Sequence, residues 1–184
     1  MDDGLGAVET IARLMALSAR TAPKARGVDA LVVRIIAGEN LILLSNEMRL
    51  YGEAHKIGYF IRDSDNIRAS EACVLIGLHY HATAGLDCGG CGYKTCAAML
   101  DSQAVSYTRE TAFQGPHCIV RMTDLGIALG SAVKTAALHN VDNRVMYTAG
   151  VAALRLGWLD GCRCSYGIPI AATGKNIFFD RRGT

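Results

Sequence analysis

Apolar residues follow two different spacings in the first half of the chain. Over residues 5–20 and 40–57 they recur at helical intervals, with Leu41, Leu44, Met48 and Tyr51 on one face of the second segment, so both segments are predicted to be helices. Residues 31–36 and 73–78 are short, mostly apolar runs rich in β-branched side chains. Such runs predict two largely buried strands.

The second half is more interrupted. The polar stretch 63–70 predicts a loop or turn, and the Gly- and Cys-rich residues 85–96 predict a longer loop followed by a short helix over 97–106. A helix with unusually small side chains is predicted over 124–138, with Asp124 as its N-cap. Asp142 or Asn143 would cap a further helix over 143–157, and residues 165–184 would be extended.

This pattern contains no linker, internal repeat or low-complexity tract. It predicts one domain over residues 1–184, of α+β or α/β type, with α+β favoured and helices packed on a small sheet. Residues 85–120 hold four of the seven cysteines, and this concentration of thiols would make them a cluster-binding segment within that domain.

Composition narrows the function classes. Hydrophobic residues make up 51% of the 184 positions and charged residues 20%, with a net charge of +2, which indicates a globular chain. The absence of a basic run interleaved with aromatic residues argues against a nucleic-acid partner. No apolar stretch reaches the roughly 18 residues of a membrane span, and the acidic start Asp2-Asp3 is unlike a signal peptide. We therefore expect a cytoplasmic protein that contacts no membrane.

The cysteines carry the most specific chemistry. Two residues separate Cys88 from Cys91, four separate Cys91 from Cys96, and 21 separate Cys96 from Cys118. An iron–sulfur cluster needs four converging thiolates. Gly89, Gly90 and Gly92 would allow the tight turn between the first ligands and would leave backbone N–H groups for the cluster sulfurs. The sequence predicts Cys88, Cys91, Cys96 and Cys118 as ligands.

Three other interpretations of these cysteines stay open. They could be small buried hydrophobic residues, or they could bind a structural zinc ion with His117 as a possible ligand. Cys162 or Cys164 could replace Cys118 as the fourth thiolate. Cys73 lies in the middle of an apolar strand and is expected in the core.

The segment Cys88–Cys96 resembles the CGxCGxxxC start of a 4Fe-4S domain, in which a fourth cysteine follows some twenty residues later. Beyond that motif, nearly the whole chain resembles an uncharacterised family of ferredoxin-domain-containing proteins. The matching stretches are 19–29, 124–132, 141–147, and 166–169 through 180–181. This resemblance implies cluster binding and supplies no reaction.

A fainter resemblance is to the flavin-dependent nitroreductase fold, from the order helix, Arg-Thr-Ala-Pro turn, strand, helix, strand and small-residue helix beginning Asp-x-Gly. It implies FMN, with Arg20, Lys24, Arg26 and Lys175 as candidates for holding the flavin phosphate. It also implies a homodimer, because that flavin site is built across two chains, and a small-sided helix favours a dimer as well.

Together these observations favour a cytoplasmic redox protein in which one 4Fe-4S cluster transfers single electrons, coupled to a flavin. If the chain is an enzyme, it would be an oxidoreductase. The alternatives are a zinc-stabilised, non-catalytic binding module and a nitroreductase-like FMN oxidoreductase whose cysteines are incidental.

Overall fold

The computed structural model describes residues 5–105 and 111–179. Within these ranges the chain forms helices and strands in the following order: α1 (Leu5–Thr21), a short 3-10 turn (Ala25–Gly27), β1 (Leu31–Ala37), α2 (Glu39–His55), α3 (Gly58–Arg68), β2 (Ala72–His79), α4 (Cys96–Val105), α5 (Ile119–Leu138), β3 (Asp142–Asn143), α6 (Tyr147–Arg155) and β4 (Cys162–Ala171).

The four strands form one antiparallel sheet in the order β1-β2-β4-β3. Strand β2 lies inside the sheet, and its residues 72–78 are all buried. A strand covered on both faces needs a continuous apolar run, which this segment supplies. Leu78 pairs with Leu31 and with Cys164, so the carboxyl end of β2 lies where β1 begins. This end of the sheet is where the cysteine loop starts.

Each face of the sheet has its own core. Alternate β2 side chains such as Val74 and Ile76 pack with α1 and α5 on one face. Cys73 and Leu75 point to the other face, where α2, α3 and α6 cover them. Alternation along a strand sends successive side chains to opposite faces, so a single apolar run can supply two cores.

Helix α6 approaches the sheet unusually closely. A methyl group built on Gly150 would lie 1.9 Å from the backbone oxygen of Ser165 in β4, and one built on Gly167 would lie 2.7 Å from the Cβ of Ala149. The Ser165 hydroxyl also donates to the Gly150 carbonyl at 2.9 Å. Only glycine permits this contact, because any side chain at these positions would overlap the facing element.

The predicted mixed fold is confirmed, including the helices at 5–20 and 40–57, the strands at 31–36 and 73–78, and the short helix after the cysteine loop. Residues 106 and 180–184, at the ends of two predicted segments, lie outside the described residues. Strand β1 is less buried than predicted, since Arg34 and Ile35 are exposed on this outer strand. Within residues 5–105 and 111–179, no helix is both long enough and apolar enough to cross a membrane.

Three local predictions are wrong. The polar stretch 63–70 is not a loop, because residues up to Arg68 belong to α3. Asp124 does not cap α5, which begins five residues earlier after Cys118; Asp124 instead lies inside the helix. Asp142 and Asn143 form β3 rather than a helix cap, and α6 begins only at Tyr147.

Candidate metal centre

The predicted ligand loop is closed on itself by a hydrogen bond at its base. The Asp87 carboxylate accepts the backbone N–H of Cys96 at 2.7 Å. Within the loop, the N–H of Gly92 donates to the carbonyl of Gly89 at 3.0 Å, and both glycines have positive φ. The left-handed region is accessible to glycine without steric cost, so the sequence allows the tight turn that separates Cys88 from Cys91.

Cys118 lies directly beneath this loop. It is only 5% exposed and packs with Ala84 and Met99, and Cys91 packs against the same small cluster. A methyl group built on Gly90 would lie 2.6 Å from Cγ2 of Ile119 and 3.7 Å from Sγ of Cys88. The fold therefore brings the distant Cys118 to the loop that carries the other three cysteines.

Two of the cysteines lie at helix N-termini. Cys96 is the first residue of α4, where the Thr95 hydroxyl accepts the N–H of Ala98 at 3.2 Å. Cys118 is the N-cap of α5. Neither first turn contains an acidic residue. The positive end of α5 therefore remains available to stabilise an anionic group near Cys118, whereas the first N–H of α4 is already bound by the Asp87 carboxylate.

Gln103 connects α4 to the chain that precedes Cys118. Its side chain is almost fully buried, and Nε2 donates to the carbonyl of Pro116 at 2.8 Å, while Oε1 has no hydrogen-bond partner among the described residues. His117 is half-buried, and its Nε2 also finds no partner in the part of the chain that the structure describes. Burial together with the charge of Arg163 lowers the pKa of His117. A neutral imidazole at this position keeps the Cys3His alternative for zinc open.

The donor set matches an iron–sulfur cluster in its chemistry, with four thiols from one loop and one helix start. The degree of burial differs, since Cys88 is exposed whereas Cys91 and Cys96 are intermediate. As they stand in residues 5–105 and 111–179, three or more Cys, His, Asp or Glu side chains do not group closely enough to hold a metal ion. The four-cysteine site therefore stays a prediction.

The remaining cysteines belong to the sheet. Cys73 is completely buried, as the sequence predicted, and burial raises its pKa. Cys164 packs on the α1–α5 face and Cys162 on the opposite face, because the register shifts between Leu78 and His79. Burial raises the pKa of each thiol to about 12, so both remain protonated at neutral pH. Neither thiol belongs to the group of packed side chains around Cys118 and Cys91.

The candidate flavin residues fall into two groups. Arg20 contacts Asp29 at 3.0 Å and the carbonyl of Leu31, and the buried Lys24 ammonium donates to three carbonyls at the end of α1. Arg26 is exposed beside the cysteine loop. Lys175 follows β4, whose last residue lies beside the start of β2. The structure therefore places Arg20, Lys24 and Arg26 at the end of the sheet where the cysteine loop starts, and Lys175 at the opposite end.

A buried ion pair that the sequence did not indicate organises this end of the molecule. Arg121 and Asp124 are 3% and 4% exposed, and their side chains meet at 2.8 Å. Arg121 also donates to the carbonyls of Thr83, Ala25 and Val28, while Asp124 accepts the N–H of Ala25. Their spacing of three residues on a helix was the available signal, but the prediction of Asp124 as an N-cap concealed it.

Two cavities accompany these elements. One of about 410 Å³ lies between the 3-10 turn and α5, close to Cys118, and its mostly apolar lining is Pro23, Lys24, Ala25, Val120, Thr123, Asp124 and Ile127. Another of about 500 Å³ lies against α6 and β4 and is lined in part by Tyr51, Arg155, Cys162 and Arg163. The first is the more relevant to the cysteines, because Val120 follows Cys118 by two residues.

The fold is that of nitroreductase-like flavoproteins. A nitroreductase with bound FMN from Desulfitobacterium hafniense shares 14% identity at a TM-score of 0.55, over 91% of this chain and 80% of that chain. Nitroreductase CinD from Lactococcus lactis, solved with nicotinic acid, shares 13% identity at a TM-score of 0.55, over 94% and 84%. Against B. megaterium NfrA1 the TM-score is 0.56 at 11% identity, and 96% of this chain spans 62% of that chain.

Sequence comparison points to a different description. The family described as "Uncharacterized protein containing a ferredoxin domain" matches residues 114–181, a region that includes Cys118 but not the three loop cysteines. An uncharacterized protein from Archaeoglobus fulgidus is 40% identical over 174 residues, covering 95% of this chain and 91% of the relative. The chain therefore belongs to the family of proteins containing a ferredoxin domain, and it has a nitroreductase-like fold.

Proposed function

We propose that this chain is a cytoplasmic iron–sulfur redox protein that binds one 4Fe-4S cluster through Cys88, Cys91, Cys96 and Cys118. The observation that carries this proposal is the burial of Cys118 beneath the loop of the other three, in one small cluster with Cys91. Twenty-one residues separate Cys118 from Cys96 in the sequence, yet Cys118 and Cys91 both contribute to one small group of packed side chains. The ferredoxin domain of the family supports the same class of group.

The residues around the cysteines suit a group of negative charge. A cluster, when bound, supplies reversible uptake of one electron, received from a reduced one-electron carrier and passed to an oxidised one. The N-terminus of α5 would offset its charge at Cys118. Burial of Cys118 keeps water from one side, whereas the exposed Cys88 marks the side that a partner can approach.

We propose FMN as the redox partner within the same protein. The support is the fold, because solved structures with the same architecture include a nitroreductase with bound FMN. The flavin would use Arg20, with Lys175 supplied by a second chain in a homodimer, because one chain holds Lys175 at the other end of its sheet. All three N–H groups of the Lys24 ammonium are already bound by carbonyls, and the Arg26 guanidinium contacts the chain at the start of the cysteine loop instead. A nitroreductase-like FMN oxidoreductase without a cluster is the second candidate on the same grounds.

Anaerobic purification followed by quantification of iron, sulfide, zinc and flavin tests these assignments together. We expect about four iron and about four sulfide per chain, with absorbance near about 400 nm. Zinc at about one per chain without sulfide would instead indicate a zinc-stabilised module. If the protein contains flavin but no iron, and if the Cys91→Ser variant keeps its oxidoreductase activity, the nitroreductase-like FMN oxidoreductase is supported.

Variants locate the site. Cys118→Ala should lose the iron and sulfide, whereas Cys164→Ala, which removes a thiol from the sheet core, should retain both. The proposal is wrong if the wild-type chain stays colourless and iron-free after anaerobic reconstitution.

A further inference from the structure

We infer that Arg26 sets the reduction potential of the cluster by placing a positive charge at the start of the cysteine loop. This inference rests on the proposed function, since it concerns the same four cysteines. It gives Arg26 a role that differs from contact with a flavin phosphate. Three observations support it. The guanidinium contacts the chain at the start of the loop, hydrogen bonds from α5 hold the backbone around Arg26, and the charges within the loop nearly cancel.

The Arg26 side chain reaches the residues from which the loop departs. Its Nη1 donates to the carbonyl of Ala84 at 3.1 Å. The same nitrogen lies 3.4 Å from the position that a Cβ of Gly85 would occupy. Ala84 is buried in the group of packed side chains that contains Cys118, and Cys91 packs against the same group. The guanidinium is thus anchored to a residue of the same packed group as Cys118, against which Cys91 also packs.

The backbone at Arg26 adopts a conformation that a non-glycine residue rarely takes. Its φ is +57°, in the left-handed region, although Gly27 follows directly. A side chain in this region costs of order 1 kcal/mol and persists where the surroundings impose it. Here the imposing contacts come from the buried pair in α5, because Asp124 binds the N–H of Ala25 and Arg121 binds the carbonyls of Ala25 and Val28.

Arg121 also fixes the other side of the contact. It donates to the carbonyl of Thr83, the residue before Ala84. One buried guanidinium therefore holds both the segment that carries Arg26 and the chain that Arg26 touches. The backbones of Arg26 and of the chain it touches are therefore held by the same group, and the hydrogen bond from Nη1 to the Ala84 carbonyl places the guanidinium against the start of the loop.

No carboxylate within residues 5–105 and 111–179 forms an ion pair with Arg26. Between residues 85 and 96 the charged side chains are Asp87 and Lys94, which have opposite signs, and the Asp87 carboxylate is occupied by the N–H of Cys96. Adding one electron to a cluster increases its negative charge, so a nearby cation favours the reduced form. Loss of the Arg26 charge should therefore make the potential more negative.

Potentiometric titration of the anaerobic holoprotein, followed by electron paramagnetic resonance of the reduced cluster, measures this effect. We expect Arg26→Gln to shift the midpoint to more negative potential and Arg26→Lys to stay near wild type, with iron and sulfide unchanged. Arg68→Gln is the matched control, because it removes the same charge from the end of α3, at the opposite end of β2 from the loop. Its midpoint should not move. The Arg26→Gln shift should also shrink at high salt, since the side chain is exposed.

Each outcome decides. An Arg26→Gln protein with a full cluster and an unchanged midpoint overturns the inference, and a loss of flavin in that variant would assign Arg26 to the phosphate instead. If Arg26→Gln assembles no cluster, Arg26→Lys decides: a cluster at the wild-type midpoint supports the role of the charge, and an empty site refutes it. Absence of iron and sulfide from the wild-type protein would refute the proposed function itself.

Discussion

The central strands and the cysteine loop differ in how they are held. Residues 72–78 of β2 are buried on both faces and paired on both sides, so packing and hydrogen bonding specify them independently. Residues 85–90 are all exposed, and the loop depends on a few polar contacts such as that of Asp87 with Cys96. Strands of the first kind determine stability, whereas a loop of the second kind can be ordered by what it binds.

This difference separates the cysteines into two populations. Cys73 and Cys164 lie in the sheet, where burial raises their pKa and removes them from reaction. Cys88 lies in the loop, where it contributes almost nothing to the core. Stability and cluster binding should therefore respond to different substitutions, and the following predictions test that separation.

The largest effect is expected at the contact between α6 and β4. Gly150→Ala places a methyl group 1.9 Å from a backbone oxygen that cannot move without displacing the strand. We expect a loss of more than about 3 kcal/mol in the free energy of unfolding, measured by urea denaturation. Gly130→Ala is the control, because its methyl group would meet open space within the chain, and a helical alanine is favoured by about 1 kcal/mol. Equal effects of the two substitutions would contradict the close-packing account.

The next effect is expected at the buried ion pair. Asp124→Asn keeps the shape of the side chain but leaves the Arg121 guanidinium buried without its counter-charge. Removing one member of such a pair costs about 3 kcal/mol. Glu9→Gln breaks the exposed Glu9–Arg13 pair and should change stability by less than about 0.5 kcal/mol. A similarly small change for Asp124→Asn would show that the pair does not hold the segments it contacts.

The smallest effect compares one cysteine from each population in the cluster-free protein. Cys73→Ala should lower the free energy of unfolding by about 1 kcal/mol because it opens a small cavity in a full core. Cys88→Ala should leave it unchanged within about 0.5 kcal/mol. After reconstitution the order should reverse, with iron retained by Cys73→Ala and lost by Cys88→Ala. If both variants bind iron equally, the loop is not the site.

Periodicity in the sequence was sufficient where burial alone decides structure. The apolar positions of α1, α2, β1 and β2 repeat at the period of their element, and each was located correctly. The prediction of a loop over residues 63–70 was wrong because α3 has a solvent-exposed face and also buries polar residues. Asp63 accepts a hydrogen bond from Thr148 of α6, a partner 85 positions away.

Tertiary contacts explain the other errors. Aspartate is a residue type that often caps helices. The Asp124 carboxylate instead binds Arg121 and the N–H of Ala25, which only the folded chain brings near. Spacing in the sequence identified the cysteine loop and already suggested Cys118 as its partner, whereas the separation of Lys175 from Arg26 follows from the register of the sheet. Pair distances of that kind are not encoded in the spacing of residue types.

The hydrogen bond between Asp87 and Cys96 has an evolutionary consequence. Since it joins the two ends of the eight residues between them, the loop closes at a narrow neck, and Gly90 and Cys91 also contact the body of the molecule. Changes in loop length add little closure entropy when the neck is fixed. The predicted ligand loop can thus change in length while the scaffold beneath it stays the same.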